Sequence, residues 1–374
     1  MSNLMIAKFL PVPSLREVDH VAVAAAPGKA WPAARAVDLA RMPFVRFLFE
    51  ARVLPDRARA LLRGLEQPAL ESIGVESVEK SEGPGFMILG EEPGREVVVG
   101  AVGRFWKPRI EWADITPDQF AGFAQPGWGK VAWCIRVDPR EAGGSWITFE
   151  VRVGATDAAS LGKFKPYWRL IGRFSRAIRR SALKRVAREL GEAPLAPVAG
   201  GDLLKEARFD RTHHQFIEAP PDRVWPWLAQ MGCRRAGWYS YDFLDNGGVK
   251  SANRILPEAQ KLAVGDILPA TPKDTGGFAV LQMDRGRSLV LGSPRLLPNG
   301  GPAGLAWGPY DATWAFQLEP IGTDATNLVV QVRAQFEPSL RSEMTRLVVG
   351  TAHQIMQPEQ LRNLKARVEK GARA

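Results

Sequence analysis

The chain has little cysteine and histidine, and it has no long apolar run. Cys134 and Cys233 are its two cysteines, too few for a disulfide framework or a cysteine-based zinc site. Its four histidines are accompanied by no acidic cluster at ligand spacing, so we expect no metal site. No apolar run approaches the roughly 18 residues that a membrane helix needs. These absences exclude a disulfide-rich secreted domain and a protein built on apolar membrane helices.

Targeting and cofactor motifs are also missing. The first residues, MSNLMIAKFLPVPSL, lack the basic start, the long apolar region and the cleavage site of a signal peptide, so we expect a cytoplasmic protein. No phosphate-binding loop, dinucleotide fingerprint or nucleophile elbow is present. The sequence therefore predicts that no cofactor is used.

The net charge of +10 is concentrated in one segment. Residues 164–188 contain nine basic residues and no acidic one. The spacing of their apolar residues predicts an amphipathic helix with a wet basic face. No aromatic–basic motif accompanies it, so nucleic acid is not an expected partner. The same face offers a surface for peripheral contact with anionic lipid. The apolar positions are Leu170, Ile171, Phe174, Ile178 and Val186.

What the chain does contain is an internal repeat. Four pairs of segments match in the same order, with only the loop lengths different, and this indicates a duplicated domain. The pairs are HVAVAAAPGKAWPAA (20–34) with HQFIEAPPDRVWPWL (214–228), GFMILGEEPGREVVVG (85–100) with GFAVLQMDRGRSLVLG (277–292), AWCIRVDP (132–139) with TWAFQLEP (313–320), and the two final helices. We expect domains at 15–190 and 205–372, joined by the Pro/Gly/Ala-rich linker 191–204.

Each copy predicts an α+β fold. The order is a short strand, a helix that carries a shared Trp, a hairpin, further strands and a long amphipathic helix. Pro32 and Pro226 are predicted in the first turn of the early helix. The closing helix and the sheet can bury their apolar faces against each other. A sheet curved around one helix tends to leave a cavity between them.

Period-2 alternation predicts which strand residues face this cavity. The first strand of the third pair places Trp133, Ile135 and Val137 on one face, and its counterpart places Trp314, Phe316 and Leu318 there. Core packing and a pocket wall are equally good interpretations of Trp133 and Trp314. Trp31 and Trp225, shared by both copies, are more simply core residues.

These motifs resemble the SRPBCC superfamily, also called START-like, polyketide-cyclase-like or helix-grip. The similarity rests on APPDRVWPWL, the Gly-Phe hairpin, the TWAFQL strand and the closing helix. The second half is also similar to a set of bacterial members through RAGWYSYDFLDN and SANRILPEAQKLAVGDILP. The resemblance implies two tandem helix-grip domains, each a curved antiparallel sheet wrapped around a long C-terminal helix.

The resemblance also implies a mostly apolar pocket in each domain. We expect binding or transport of a lipid, polyketide or isoprenoid-like molecule in one or both pockets. The alternative is a cofactor-independent cyclase, aromatase or dehydratase acting on such a molecule. Oligomeric state is left open. The expected ligand-binding residues are Trp133, Trp238, Tyr239, Tyr241, Asp242, Trp314, Phe316 and Arg333.

GWYSYDFLDN (237–246) has no counterpart in the first copy, where residues 38–62 have a different pattern. Tyr239, Tyr241 and Asp242 are the candidate acid–base groups of the enzyme alternative. A helix N-terminus with Ser240 or Asp242 as its cap is the structural interpretation of the same residues.

Two arginines occupy matching strand positions, Arg152 and Arg333. Because residues i and i+2 of a strand share a face, the neighbouring valines take the opposite face. We expect the valines to point inward and the arginines to lie on the wet side. On the other assignment, both arginines would point into the pockets and could bind a carboxylate.

Overall fold

The computed structural model divides into two compact units, Met1–Pro194 and Leu195–Ala374. None of its described helices is long and apolar enough to cross a membrane. The first-copy segment 38–62 lies outside the described residues. The described residues are 4–37, 74–80, 85–107, 110–193, 196–272, 276–301, 310–336 and 340–373.

The first unit is one antiparallel sheet with a long closing helix. The strand order across the sheet is β1-β5-β4-β3-β2. A register shift between Ile88 and Gly90 marks a bulge that bends the hairpin. The elements in chain order are α1 (Met5–Phe9), β1 (Leu15–Val23), α2 (Pro27–Arg35), α3 (Val75–Glu79), β2 (Met87–Glu92), β3 (Glu96–Gly103), α4 (Pro117–Gly122), β4 (Gly129–Pro139), β5 (Ser145–Ala155) and α5 (Ala158–Leu190).

The second unit repeats this plan with one added edge strand. Its order is β6-β11-β10-β9-β8-β7, and the equivalent hairpin has a register shift between Val280 and Gln282. Short 3₁₀ turns lie at Pro257–Gln260 and Pro294–Leu296. The elements are β6 (Phe209–Ile217), α6 (Pro221–Ala229), α7 (Asp242–Asp245), β7 (Ile267–Pro269), β8 (Gly277–Asp284), β9 (Ser288–Gly292), β10 (Tyr310–Ile321), β11 (Ala325–Phe336) and α8 (Leu340–Arg373). The predicted α+β fold with two tandem domains is confirmed.

The main core of each unit lies between the sheet and its closing helix. In the first unit, Val151 and Val153 of β5 pack with Leu183 and Val186 of α5. In the second, strand residues such as Phe316 and Val330 pack with Leu361, Leu364 and Val368 of α8. The alternation of the strands therefore identified the inner face correctly in both units.

The outer face of the first sheet is covered, which the sequence did not predict. Ile6 of α1 packs with Cys134 in a second apolar cluster on that face. Arg152 points outward as expected, but its wet environment was predicted wrongly. The guanidinium is buried, donates to the Leu10 carbonyl oxygen at 3.0 Å, and pairs with Glu150 at 2.6 Å. The N-terminal segment covers this charge pair.

The early helices begin one turn sooner than predicted. Each has a proline as its first residue, Pro27 in α2 and Pro221 in α6. Pro32 and Pro226 therefore lie inside the helix and not in its first turn. Because proline has no backbone N–H, each of these nine-residue helices has one backbone hydrogen bond fewer.

Candidate ligand-binding site

Four aromatic side chains meet inside the second unit, and we call them the aromatic cluster: Trp238, Phe278, Trp314 and Phe316. The Trp238 and Trp314 rings are stacked, with centroids 5.4 Å apart and planes at 27°. Phe278 meets Trp238 edge-on at 5.4 Å and lies 5.5 Å from Trp314. The Phe316 ring lies 5.0 Å from that of Trp314. Such a cluster presents a large apolar surface with defined ring orientations.

Two glutamines of α8 provide hydrogen bonds beside these rings. Trp314 Nε1 donates to Gln357 Oε1 at 3.0 Å, and Gln357 Nε2 donates to Gln360 Oε1 at 2.9 Å. Gln360 Nε2 in turn donates to the Trp238 carbonyl oxygen at 2.9 Å. The two glutamines are 2% exposed. The Trp238 indole Nε1 is also buried but has no hydrogen-bond partner in the described part of the chain.

Part of the aromatic cluster borders accessible space. Trp238 and Phe316 are buried, whereas Phe278 and Trp314 are only partly buried although they pack against the core. Trp314 extends from the inner face of the sheet, and part of its ring surface is left uncovered. The aromatic cluster thus combines flat apolar surface with a buried, unpaired N–H donor, a composition suited to a hydrophobic molecule with a polar oxygen.

Tyr239, a predicted site residue, is a buried structural residue of the second unit. Its side chain is fully buried, and burial raises the pKa of its hydroxyl well above the ordinary value. The hydroxyl accepts from Gln230 Nε2 at 2.8 Å and donates to the Trp227 carbonyl oxygen at 3.2 Å. Its backbone has a positive φ of 60°, and Asn363 of α8 donates to its carbonyl oxygen. The hydroxyl therefore uses both its donor and its acceptor capacity in hydrogen bonds within the second unit.

The remaining predicted residues of this unit lie in different surroundings. Tyr241 is exposed. Asp242 begins α7 and accepts a hydrogen bond from the Ser251 hydroxyl at 2.5 Å. Arg333 points away from α8, because Val330 on the other face of β11 packs against that helix. It pairs with Asp210 at 3.3 Å. The structure thus brings Trp238, Trp314 and Phe316 together, but not Arg333.

Two histidines, for which the sequence predicted no metal site, contact each other on the inner face of the second sheet. His213 Nε2 of β6 lies 3.1 Å from His353 Nε2 of α8, so one ring donates to the other. Burial is the main cause that lowers both pKa values. The charge of His214 further lowers the pKa of His213, and the charge of His213 further lowers the pKa of His353. The nearby Arg211 guanidinium acts in the same direction, and the His353 pKa falls to about 4. The pair is therefore neutral at pH 7.

We expect this pair to make the second unit sensitive to mild acid. Between about pH 6.5 and pH 4 the unfolded chain binds a proton at position 353 that the folded chain does not. The stabilisation is present above pH 6.5 and is lost as the pH falls toward 4. We expect the free energy of unfolding to drop by about 2–3 kcal/mol over this range. Denaturant unfolding at a series of pH values measures it.

His353→Gln is the matched variant for this experiment. It keeps a polar side chain that does not titrate, so its stability is expected to change less between pH 6.5 and pH 4. Asp245 complicates the wild-type curve, because burial raises its pKa to about 6 and it destabilises the fold as the pH rises through that value. The difference between wild type and variant removes this contribution. Equal pH slopes in the two proteins would contradict the assignment.

The first unit uses ion pairs at the equivalent place. At the offset of the repeat, Asp19 of β1 corresponds to His213, and Arg179 of α5 to Gln357. Arg179 contacts Asp19 at 3.1 Å and Glu17 at 2.5 Å. Trp133, the predicted ligand residue of this unit, is buried and stacks on Phe149 at 5.5 Å.

Several site residues were not identified from the sequence. Phe278 opens the Gly-Phe hairpin, whose repeat was recognised, but the repeat does not reveal that its ring meets Trp238 and Trp314. Gln357 and Gln360 are three residues apart on a helix, a spacing that places them on one face. That spacing is visible in the sequence, whereas their burial is not, because glutamine is mostly exposed in proteins.

No family model and no curated protein matches the chain. Among solved structures, protein NE0264 from Nitrosomonas europaea is 13% identical, with 45% of this chain and 99% of that chain covered and a TM-score of 0.30. The di-domain ARO/CYC BexL from the BE-7585A biosynthetic pathway is 12% identical, with 95% and 99% covered and a TM-score of 0.22. The di-domain ARO/CYC StfQ from the steffimycin biosynthetic pathway is 11% identical, with 96% and 100% covered and a TM-score of 0.25.

The fold of the chain follows from its own strand order and cores. Among the described residues, each unit has one antiparallel sheet whose first strand lies at an edge, beside the last strand in sequence. In each unit the long final helix packs on the inner face of that sheet. Both halves of the chain are therefore helix-grip domains, the fold that the sequence resemblance to the SRPBCC superfamily implies.

Proposed function

We propose that the protein binds a hydrophobic small molecule between the sheet and the closing helix of its second unit. The observation that carries the proposal is the aromatic cluster with the unpartnered Trp238 Nε1. A buried donor without an acceptor costs about 1–3 kcal/mol. A ligand oxygen placed at this N–H would remove that cost while its apolar body packs on Trp314 and Phe278.

The chemistry of the aromatic cluster favours a particular class of ligand. Flat rings or a conjugated chain suit the stacked indoles, and a carbonyl or hydroxyl oxygen suits the Trp238 donor. Lipid, polyketide and isoprenoid-like molecules can combine these features. A different depression of about 450 Å³, lined in part by Asp284, Arg287 and Gln317, has no aromatic lining, so we do not place the ligand there.

We do not propose proton transfer by Tyr239, because its hydroxyl is engaged by Gln230 and Trp227. A cyclase, aromatase or dehydratase would need an acid–base group in contact with the ligand. The aromatic cluster and the two glutamines contain no group that titrates near pH 7. Binding or transport is the simpler function for these residues.

Trp314→Ala is expected to weaken ligand binding strongly. Loss of the indole removes apolar contact and the hydrogen bond to Gln357, and we expect at least about a tenfold loss of affinity, or about 1.4 kcal/mol. The probe is a fluorescent conjugated fatty acid, titrated into the full-length protein. Native mass spectrometry of the protein as isolated supplies a second measurement, since a bound lipid-like molecule adds mass.

Trp133→Ala provides the matched control, because Trp133 holds the corresponding strand position in the first unit. Its affinity for the probe is expected to equal that of the wild type, provided that circular dichroism shows both variants folded. Loss of binding in this variant but not in Trp314→Ala would assign the ligand to the first unit. Absence of both probe binding and a co-purifying mass would refute ligand binding altogether.

A further inference from the structure

The segment around α7, which has no counterpart in the first copy, presents apolar side chains to solvent. Phe243, Leu244 and Val249 are 83%, 57% and 68% exposed, and Tyr241 before them is also exposed. Single exposed apolar residues are ordinary in proteins, whereas several on one short loop mark an interaction site. We call residues 241–249 the apolar loop.

The apolar loop is closed by its own hydrogen bonds. Five of its backbone N–H groups donate to carbonyl oxygens of the same loop, at 2.7 to 3.2 Å. The Asn246 side chain donates to the Val249 carbonyl oxygen and so ties the end of the loop to its middle. Backbone groups that leave water must be hydrogen-bonded within the protein, and these N–H groups already are. The five donors are Leu244, Asp245, Asn246, Gly248 and Val249.

The charged side chains of this region are sorted by sign. Asp245 is buried, and Asp242 is only partly exposed and accepts the Ser251 hydroxyl hydrogen. Lys250 and Arg254, which follow the apolar loop, are exposed. The acids are therefore turned towards the protein and the bases towards solvent, and the outer face of the region is mainly apolar and cationic.

A third cation lies beside the apolar loop. The exposed Arg234 side chain donates from Nη2 to the Pro272 carbonyl oxygen at 2.8 Å. Gly247 of the loop packs against the ring of the same proline, because a Cβ added at Gly247 would lie only 2.7 Å from Pro272 Cγ. The Arg234 guanidinium and the apolar loop are therefore neighbours.

We propose that the apolar loop docks the second unit onto an anionic lipid bilayer. Phe243, Leu244 and Val249 enter the boundary between headgroups and acyl chains, where apolar side chains are removed from water. The three cations around them stay at the level of the headgroups and meet lipid phosphates. The basic face of residues 164–188 is a different surface, since it presents cations but, among its described residues, no exposed large apolar side chain.

A second copy of the chain is a poorer occupant of this surface. In a symmetric dimer formed through the apolar loop, the same patch of both subunits would meet. Arg234, Lys250 and Arg254 would then be brought close to the same three cations of the other copy, and like charges across an interface are unfavourable. An anionic bilayer accommodates the apolar and the cationic side chains together.

Vesicle flotation of the full-length protein tests this docking. The probes are vesicles of phosphatidylcholine alone and vesicles that also contain phosphatidylglycerol. Wild type is expected to float with the anionic vesicles, less with the neutral ones, and less at high salt. Phe243→Ser/Leu244→Ser is expected to lower the partition coefficient at least about tenfold. Val264→Ser, at an exposed valine outside the loop, is the matched control and should bind as wild type does.

Two further variants separate the contributions. Lys250→Gln/Arg254→Gln is expected to weaken binding to the anionic vesicles at least about tenfold, because each Lys or Arg near such a surface contributes roughly fivefold. Its weaker binding to neutral vesicles should not change. Docking uses no side chain of the aromatic cluster, so Trp314→Ala should bind vesicles as wild type does. Failure of ligand binding and failure of docking are thereby told apart.

Three results would overturn the docking of this loop. The first is a wild type that floats with neither kind of vesicle. The second is undiminished binding of Phe243→Ser/Leu244→Ser to anionic vesicles, which would move the contact to the basic face of residues 164–188. The third is a wild-type dimer that the same variant converts to monomers in light scattering, which would make a second copy the occupant. If circular dichroism shows this variant unfolded, Val249→Ser replaces it in both measurements.

Discussion

Arg179→Ala is expected to lower the free energy of unfolding of the first unit by about 3–5 kcal/mol, the range for breaking a buried ion pair from one side. The Arg179 side chain is 2% exposed and links three groups. Its guanidinium contacts Asp19 at 3.1 Å and Glu17 at 2.5 Å, and it donates to the Ser175 hydroxyl at 2.7 Å. Removing it leaves two carboxylates facing a helix without their main counter-charge.

Arg180→Ala is the control, one residue further along α5. Arg180 also contacts Asp19, at 2.9 Å, but its side chain is 68% exposed. An exposed ion pair contributes about 0–1 kcal/mol, so this variant should remain close to wild type. Denaturant unfolding, followed by tryptophan fluorescence and fitted for the first unit, measures both. Equal destabilisation by the two substitutions would show that burial of Arg179 does not decide its contribution.

The two units join their sheets to their closing helices with different polar groups. The first uses the carboxylates Glu17 and Asp19 with Arg179. The second uses the neutral pair His213 and His353. In the first unit, the carboxylates have Arg179 of the closing helix as their counter-charge. The second unit also holds the aromatic cluster with the unpartnered Trp238 N–H, which supports ligand binding there.

The faces of the strands could be predicted from the sequence because they depend on local alternation alone. Trp133, Trp314 and Phe316 were assigned to the inner face correctly. What covers the opposite face depends on distant parts of the chain. Arg152 was therefore expected in water, although the segment around Leu10 buries it. A charge pattern within a strand carries no information about such a cover.

The site was predicted in part for a similar reason. The segment 237–246 was singled out because it lacks a counterpart, and Trp238 does belong to the aromatic cluster. The sequence does not show that Tyr239 is enclosed while Tyr241 is exposed. Nor does it show that the Asp245 carboxylate is desolvated. Burial of single side chains in an irregular segment depends on tertiary packing.

Tyr239→Ala is expected to destabilise the second unit by about 3–5 kcal/mol, as for other large buried aromatic side chains. Tyr239→Phe keeps the ring and removes only the hydroxyl. It leaves the Gln230 amide and the Trp227 carbonyl oxygen without this partner, at a cost of about 1–3 kcal/mol. The Arg367 guanidinium, 5.1 Å from the ring centroid, retains its contact in the Phe variant. Equilibrium unfolding of the second unit measures both changes.

Tyr241→Ala separates this structural role from catalysis. Tyr241 is exposed, so its removal should change the free energy of unfolding by no more than about 0.5 kcal/mol. The order of destabilisation is then Tyr239→Ala, Tyr239→Phe and Tyr241→Ala. If Tyr239 instead served as an acid or base, Tyr239→Phe would unfold like wild type and would lose turnover of a substrate. Full stability of that variant would therefore reject the structural role, because two buried hydrogen-bonding groups cannot lose a partner without cost.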